Sequence, residues 1–265
     1  MFDYHMHSHF SADCKTPMED TIEKAINLGL KEICFTDHID FDYPDPNFTF
    51  EFDMKKYDAK IAEVQKRYQD KIVIKKGVEI GVQPHILHKY EKMMAEESFD
   101  FVLCSMHTTN LQGLHSGDLF IGRTVDEAYE LYYEELLYCI KHFERYSVLG
   151  HLDLVKRYKK NPSGNLFHEV IKQIFQTIIP QGKGIEINTS GHRDGLGHAM
   201  PSVDILRLYK DCGGEIITLG SDSHLPDTLA EHFPKYLRLL KSLGFKYVAT
   251  YEKMEPTFHS IDSLL

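Results

Sequence analysis

The sequence predicts an α/β barrel built from seven strand, loop and helix units. Seven short apolar or β-branched runs recur along the chain, and each is typical of a strand buried on both faces. Helical patterns separate the runs, and this alternation favours parallel pairing because a parallel connection needs a long crossover. The predicted strands cover residues 3–5, 32–36, 72–78, 101–104, 147–149, 184–187 and 215–219.

Two helix starts carry a specific signal. Thr16 with Glu19, and Thr124 with Glu127, have the spacing of a capping box, in which side chains satisfy free N–H groups of the first turn. Pro17 stands at the first helical position, where proline is tolerated. We therefore expect a helix to begin just after each threonine.

The chain is expected to form one domain, residues 1–265. Its 265 residues, 42% of them hydrophobic, suffice for one barrel, and no Gly/Ser-rich linker or low-complexity tract divides them. Segment 40–53 is long and rich in proline, aromatic and acidic residues. We expect it to form a lid or a wall over the site.

Composition limits the partners and the compartment. The chain has 30 Lys and Arg against 40 Asp and Glu, a formal net charge of -10, so its average surface repels nucleic acid and favours a small substrate. The absence of a long apolar run predicts a cytoplasmic protein without a membrane span. An odd number of dispersed cysteines argues against disulfides and thiolate metal sites: Cys14, Cys34, Cys104, Cys139 and Cys212. These features leave the oligomeric state open.

Histidines and acids cluster where the predicted strands end. In a parallel barrel all these ends open on one face, where active sites lie, so residues distant in sequence converge there. Imidazole and carboxylate together suit a divalent first-row metal, and a carboxylate can bridge two ions. The side chains concerned are His5, His7, Asp37, His38, Glu79, His107, His151, Asp153, Asp222 and His224.

Each of these residues also has an ordinary explanation. A single histidine after a strand, such as His107, is commonly packed or hydrogen-bonded; Glu79 alone fits a rim carboxylate, and Asp222 a turn residue. The repetition at six of seven strand ends favours metal binding instead. Other loop histidines lack ligand spacing and are expected to be solvated or hydrogen-bonded: His9, His115, His192 and His198.

Six motifs in this order resemble the PHP family, named for polymerase and histidinol phosphatase. They are Asp3-Tyr4-His5-Met6-His7, Thr36-Asp37-His38, Gly77-Val78-Glu79, Ser105-Met106-His107, Gly150-His151-Leu152-Asp153 and Gly220-Ser221-Asp222-Ser223-His224. The resemblance implies a single distorted (β/α)7 barrel of the PHP type, with a metal site at the C-terminal ends of the strands. Residues 188–191, 195–197, 201–202 and 213–215 look like the histidinol-phosphatase branch, which implies hydrolysis of L-histidinol phosphate in histidine biosynthesis.

The resemblance also implies a ligand set for two to three divalent ions, Zn, Mn or Fe. The first ion would take His5, His7, Glu79 and Asp222, the second Glu79, His107 and His151, and the third Asp13, His38 and His224. Many relatives have a histidine six residues after the second motif histidine, where this chain has Asp13. Occupancy of the third site is therefore the least secure part of the set.

The predicted chemistry is hydrolysis of a phosphate monoester. A water between two cations about 3.5 to 4 Å apart is acidified enough to attack phosphorus, and a further cation draws charge from the phosphoryl group. We expect the catalytic set to comprise Glu79, Asp222, His38 and Asp153. The proton donor for the leaving alkoxide stays open among Asp37, Asp40, Asp153 and His192.

Four residues are expected to contact the substrate. Arg157 and Arg193 lie in predicted rim loops and have the forked geometry that phosphate oxygens accept. Asp40 precedes an aromatic segment, so carboxylates and ring faces there suit an ammonium and an imidazole; the alternative is that these rings only pack the loop. His192 is the fourth expected contact.

Two other functions remain open on the sequence alone. The same site in PHP relatives acts on phosphotyrosine proteins or nucleotides, although the acidic composition argues against nucleic acid. The second alternative is a metal-binding or regulatory domain without catalysis.

Overall fold

In the computed structural model, which describes residues 1–159 and 167–265, seven parallel strands form a nearly closed barrel. Each strand pairs with the next along the chain, and Tyr4 N donates to Leu219 O (2.9 Å), which joins the last strand to the first. The predicted α/β barrel is therefore confirmed. The strands are β1 Phe2–Asp3, β2 Glu32–Phe35, β3 Val73–Gly81, β4 Phe101–Ser105, β5 Val148–Leu149, β6 Gly184–Asn188 and β7 Ile217–Gly220.

Helices pack around the barrel through apolar faces. In the first helix Met18, Ile22 and Ala25 are buried at helical spacing, which is the pattern that docks a helix on a sheet. The helices are α1 Met18–Asn27, α2 Met54–Tyr68, α3 Leu87–Glu96, α4 Val125–His142, α5 Val155–Tyr158, α6 His168–Ile178, α7 Val203–Asp211 and α8 Phe233–Ser242. No helix that the structure describes is both long and apolar enough to cross a membrane.

One of the two predicted capping boxes is present. Thr124 accepts from Glu127 N (3.2 Å), and the Glu127 carboxylate accepts from Thr124 N (2.8 Å). The box at Thr16 is wrong, because the Thr16 hydroxyl donates to the carbonyl of His224 (2.7 Å) and Pro17 caps α1 without a side-chain bond. The Thr16 hydroxyl is thus bonded to a residue distant in sequence and does not cap the helix.

Strand lengths differ from the prediction in a way that places the site. β1 ends at Asp3, so His5 and His7 lie beyond it, whereas β3 continues to Gly81 and carries Glu79 inside the strand. A short strand, His38–Ile39, pairs with β3 and sets His38 beside Glu79 in register. Segment 40–53 then folds against the opening, where Tyr43, Phe48 and Phe50 form a wall.

A C-terminal hairpin packs against one end of the barrel and was absent from the predicted elements. It consists of β8 Tyr247–Glu252 and β9 Glu255–Ser260. Tyr251 packs with Phe101 and Tyr4 in a small apolar cluster, and Tyr251 N donates to the Tyr4 hydroxyl oxygen (2.8 Å). Tyr4 therefore anchors the hairpin, and the next residue along the chain is His5, the first expected metal ligand.

Candidate metal centre

Glu79 is a fully buried carboxylate whose two oxygens face different histidines. Oε2 lies 3.0 Å from His5 Nε2 and 3.5 Å from His7 Nε2. Oε1 lies 2.9 Å from His151 Nε2 and 3.2 Å from His107 Nε2. A carboxylate in this position can bridge two cations, one held on each side.

The innermost group joins His5, His7 and Asp222. Asp222 Oδ1 is 3.6 Å from His5 Nε2 and 3.3 Å from His7 Nε2, and these two ring nitrogens are 3.1 Å apart. The other ring nitrogens are already bonded, His5 Nδ1 to Glu186 (2.6 Å) and His7 Nδ1 to Ser11 (3.0 Å). When these nitrogens carry the ring protons, two Nε2 lone pairs and two carboxylates converge on one point, and this donor set fits a divalent cation.

A third group lies nearer the surface. Asp13 Oδ2 is 3.2 Å from His224 Nε2 and 3.9 Å from His38 Nε2. The His7 ring stacks between those of His38 and His224, with centroid distances of 4.3 and 4.2 Å. The nitrogens of His7, His38 and His224 lie within 4.8 Å of one another, which makes a further site geometrically possible.

The electrostatics of the site favour the metal-binding forms of Glu79 and His7. Burial raises the pKa of Glu79, but His5, His38 and His107 outweigh it and bring that pKa well below its usual value. Burial and then the nearby histidines lower the pKa of His7 to about 3. Glu79 is therefore a carboxylate and His7 a neutral imidazole near neutral pH, and metals bind these forms. At His5, His107 and His224 burial lowers the pKa, but the neighbouring carboxylates outweigh it and raise the pKa, so a cation there would displace a ring proton.

The centre opens into a cleft on the same face of the barrel. Arg157, Tyr158 and Leu154, which lie in or just before α5, border it, and His115 lies beside Tyr158. The wall of segment 40–53 closes another side. The cleft thus combines a metal centre, one guanidinium and aromatic faces.

Comparison with known proteins gives the family. The model of the PHP domain matches residues 3–190. The chain belongs to the PHP family. A histidinol-phosphatase from Lactococcus lactis is 34% identical over 260 residues, covering 96% of this chain and 95% of the relative, and a probable histidinol-phosphatase from Clostridium acetobutylicum is 30% identical, covering 94% and 96%.

Solved structures agree with this family assignment. The crystal structure of histidinol phosphate phosphatase from L. lactis, complexed with zinc, L-histidinol and phosphate, superposes with a TM-score of 0.87 at 33% identity, covering 97% of this chain and 98% of that one. A putative histidinol phosphatase from Listeria monocytogenes gives 0.76 at 18% identity, covering 89% and 100%. At that identity the second likeness shows the fold alone.

The structure brings the nine expected ligands of this PHP chain to one face. They are His5, His7, Asp13, His38, Glu79, His107, His151, Asp222 and His224. The grouping is less separate than expected, because His38 Nδ1 also reaches Glu79 Oε2 at 3.3 Å. Asp13 contacts only the two outer histidines of the set, through the pairs given above.

Of the four expected substrate contacts, two border the cleft. Arg157 is held by Ser190 (2.6 Å), Asp194 (2.6 Å) and Asp222 (3.3 Å) with its guanidinium at the cleft edge. Asp40 borders the cleft but is 3% exposed, and its Oδ2 lies 2.6 Å from His107 Nδ1. That contact supports a ligand, so a direct bond from Asp40 to substrate stays a prediction.

Arg193 and His192 do not line the cleft and have other partners, so their expected role as substrate contacts remains a prediction. Arg193 turns inward to donate to the carbonyls of Ser221 (2.7 Å) and Asp222 (2.9 Å). His192 Nε2 is bonded to the Tyr236 hydroxyl (2.8 Å) and its ring packs on another histidine. Their loop positions in the sequence did not fix the direction of these side chains.

Asp153 and Asp37 are also turned away from the cleft. Asp153 is fully buried and accepts from Lys156 Nζ (2.8 Å) and Ser202 N (3.1 Å), and its expected catalytic role remains a prediction. Asp37 accepts from the backbone and hydroxyls of Ser8 and Ser11, which fixes the loop after His7. Both carboxylates therefore stabilise loops beside the metal centre through hydrogen bonds.

Glu186 is the main residue that sequence reasoning missed. Its Oε1 is 2.6 Å from His5 Nδ1, and its Oε2 accepts from His151 N (2.9 Å). One buried carboxylate in β6 thus orients a ligand and fixes the backbone of another. A glutamate between two isoleucines in a buried strand was the available signal, because such a charge needs partners.

Proposed function

We propose that this chain is a histidinol-phosphatase, which hydrolyses L-histidinol phosphate to L-histidinol and phosphate in histidine biosynthesis. The likeness over nearly the whole chain to the L. lactis enzyme, whose structure holds zinc, L-histidinol and phosphate, carries this proposal. The convergent donors around Glu79 support it independently, because phosphate monoester hydrolysis demands strong stabilisation of the transferring group.

We assign two to three divalent cations, Zn, Mn or Fe, to this centre. Bound there, they would lower the pKa of water toward neutrality and stabilise negative charge on phosphoryl oxygens. Glu79 and Asp222 supply the carboxylate charge that holds them. We divide the other ligands as the family resemblance implies, with His5 and His7 innermost, His107 and His151 on the second face of Glu79, and Asp13, His38 and His224 outermost.

We assign phosphate binding to Arg157. Its guanidinium is fixed by three partners, so little entropy is lost when it donates to a phosphate oxygen. Burial lowers its pKa, but Asp222, Tyr158 and Asp194 outweigh burial and raise it, so the side chain stays cationic. It lies beside the ligand Asp222, which sets the phosphate between the cations and the arginine.

We assign recognition of the histidinol part to the cleft walls. Tyr43, Phe48 and Phe50 offer ring faces to an imidazole, and His115 with Tyr158, at 6.2 Å between centroids, adds a second group of rings to the lining. We further propose that the protein works in the cytoplasm, since all five cysteines are free thiols. We also propose that it consists of a single domain.

Phosphate release by metal-loaded protein tests this function. L-histidinol phosphate, a phosphotyrosine peptide, nucleoside monophosphates and single-stranded DNA would be compared after loading with Zn, Mn or Fe. The proposal expects the highest kcat/KM with L-histidinol phosphate. It fails if that compound is the poorest substrate, and absence of any phosphate release from metal-loaded protein supports a binding domain instead.

A further inference from the structure

Three glycines stand at the C-terminal ends of barrel strands, next to the metal centre. Gly81 ends β3, Gly220 ends β7 and Gly150 directly follows β5. None of the three has a φ in the left-handed region, so the backbone conformation does not require glycine there. Glycine is therefore needed at these positions because it leaves room for neighbouring atoms, and not because of its backbone conformation.

The space at Gly81 is filled by Asp40. A methyl group on Gly81 would lie 2.5 Å from the carboxyl carbon and from Oδ1 of Asp40, and real Cβ atoms essentially never come within 3.0 Å of a heavy atom outside their own residue and its chain neighbours. Asp40 is the residue that holds His107 through Oδ2 and Nδ1 at 2.6 Å. A side chain at Gly81 would therefore displace the carboxylate that orients His107.

The other two glycines repeat this relationship. A methyl group on Gly150 would clash with Ser105 Oγ, which donates to Glu79 Oε1 at 2.6 Å. A methyl group on Gly220 would clash with Glu186 Oε1, which lies 2.6 Å from His5 Nδ1, and would also lie 2.5 Å from Cβ of His5. At Gly81 and Gly150 the polar group in the space supports a proposed metal ligand and is not itself one, whereas at Gly220 the space borders both the supporting group and the ligand His5.

We infer that Gly81, Gly150 and Gly220 are positioning residues, each of which leaves a socket for one supporting group: Asp40, Ser105 or Glu186. This inference rests on the metal centre of the proposed function and adds residues to it that bind no metal. Partners of this kind fix the tautomer and direction of a ligand, and their loss typically costs about 10- to 100-fold in metal affinity. A socket-filling side chain should cause the same loss.

A double-mutant cycle at Gly81 and Asp40 tests the inference. Zinc affinity would be measured by chelator competition, and zinc content by elemental analysis, for wild type, Gly81→Ala, Asp40→Ala and the double variant. We expect each single change to weaken the affinity for one cation by about 10- to 100-fold. The double variant should bind no more weakly than Asp40→Ala, because the methyl group then has nothing to displace.

Gly184→Ala is the matched control. Its methyl group would lie 2.5 Å from Cγ2 of Ile216, and closer still to the carbonyl oxygen of that residue, at the opposite end of the barrel, so it introduces a clash at least as severe without touching a supporting group. It should lower the thermal unfolding midpoint of the metal-free protein and leave zinc affinity within about twofold of wild type. Equal affinity losses in Gly184→Ala and Gly81→Ala would overturn the inference.

Two further outcomes are decisive. Additive losses in the Gly81 and Asp40 cycle would overturn the inference, since independent effects mean that the glycine does not act through the carboxylate. If Gly81→Ala alone does not fold, the parallel cycle of Gly150→Ala with Ser105→Ala answers the same question. Because zinc is the probe, zinc binding as expected without hydrolysis of L-histidinol phosphate would refute the proposed function and leave this inference standing.

Discussion

Nε2 of His5 lies 3.0 Å from Oε2 of Glu79, although the two residues are 74 positions apart in the chain. His5 follows β1 and Glu79 lies in β3, and closure of the barrel brings both to its interior face. The second Glu79 oxygen is then free to face His107 and His151. One buried carboxylate thus connects the two halves of the centre.

Removal of an inner ligand should abolish hydrolysis. His5→Ala and Asp222→Asn each take a donor from the most buried group, so we expect loss of phosphate release together with lower metal content. His168→Ala, at the start of α6, is the control and should change neither. Equal activity in all three variants would refute the ligand assignment.

The outer group should be separable from the inner one. Asp13→Ala removes the carboxylate that lies 3.2 Å from His224, and it should reduce metal content by about one equivalent while leaving the Glu79 ions bound. Asp13→His supplies another donor and should restore the content. Complete metal loss in Asp13→Ala would show that the outer group is not a separate site.

Arg157 and Arg193 should behave differently on substitution. Arg157→Ala removes a charged donor from the cleft, worth about 1.5–3 kcal/mol, so kcat/KM for L-histidinol phosphate should fall by about 10- to 100-fold. Arg193→Ala releases the carbonyls of Ser221 and Asp222. Its main effects should be a lower thermal midpoint and a weaker metal affinity, with only a small rise in KM. The reverse pattern would place the phosphate on the other arginine.

Metal should stabilise the fold. A ligand that binds only the folded state adds about 2.7 kcal/mol when its free concentration is 100 times Kd, which for a chain of this size raises the midpoint by about 5 to 10 °C. Chelation should reverse the shift, as followed by thermal scans. The His5→Ala variant serves as the control and should show a smaller shift; an identical shift there would mean that the metal binds elsewhere.

Sequence patterns located the barrel and the residues that converge at its opening, because both depend on local features. Buried strands can be recognised in the sequence as short apolar runs. His5, Glu79 and Asp222 lie at or near the ends of such runs, where a parallel barrel brings side chains together. The strand boundaries were less accurate, since β3 continues past Glu79 to Gly81. The added residues of β3 pair with β4 as far as Ser105, and two of them also pair with His38–Ile39, a short strand that no local pattern shows.

Side-chain direction and long-range partners could not be predicted in this way. Arg193 turns from the cleft because two backbone carbonyls of a distant loop accept hydrogen bonds from its guanidinium. The hairpin of β8 and β9 was missed because its turn uses Lys253 and Met254, with φ of 51° and 67°, in place of the Asn or Gly that would signal it. Glu186 was missed because its partners lie in other strands.

Titration of metal into metal-free protein, with phosphate release from L-histidinol phosphate measured at each addition, tests the central claim most directly. If the nine side chains hold the ions that hydrolysis needs, activity should start near zero and reach a plateau at two to three equivalents of bound metal. Full turnover in protein shown by elemental analysis to contain no metal would contradict the account.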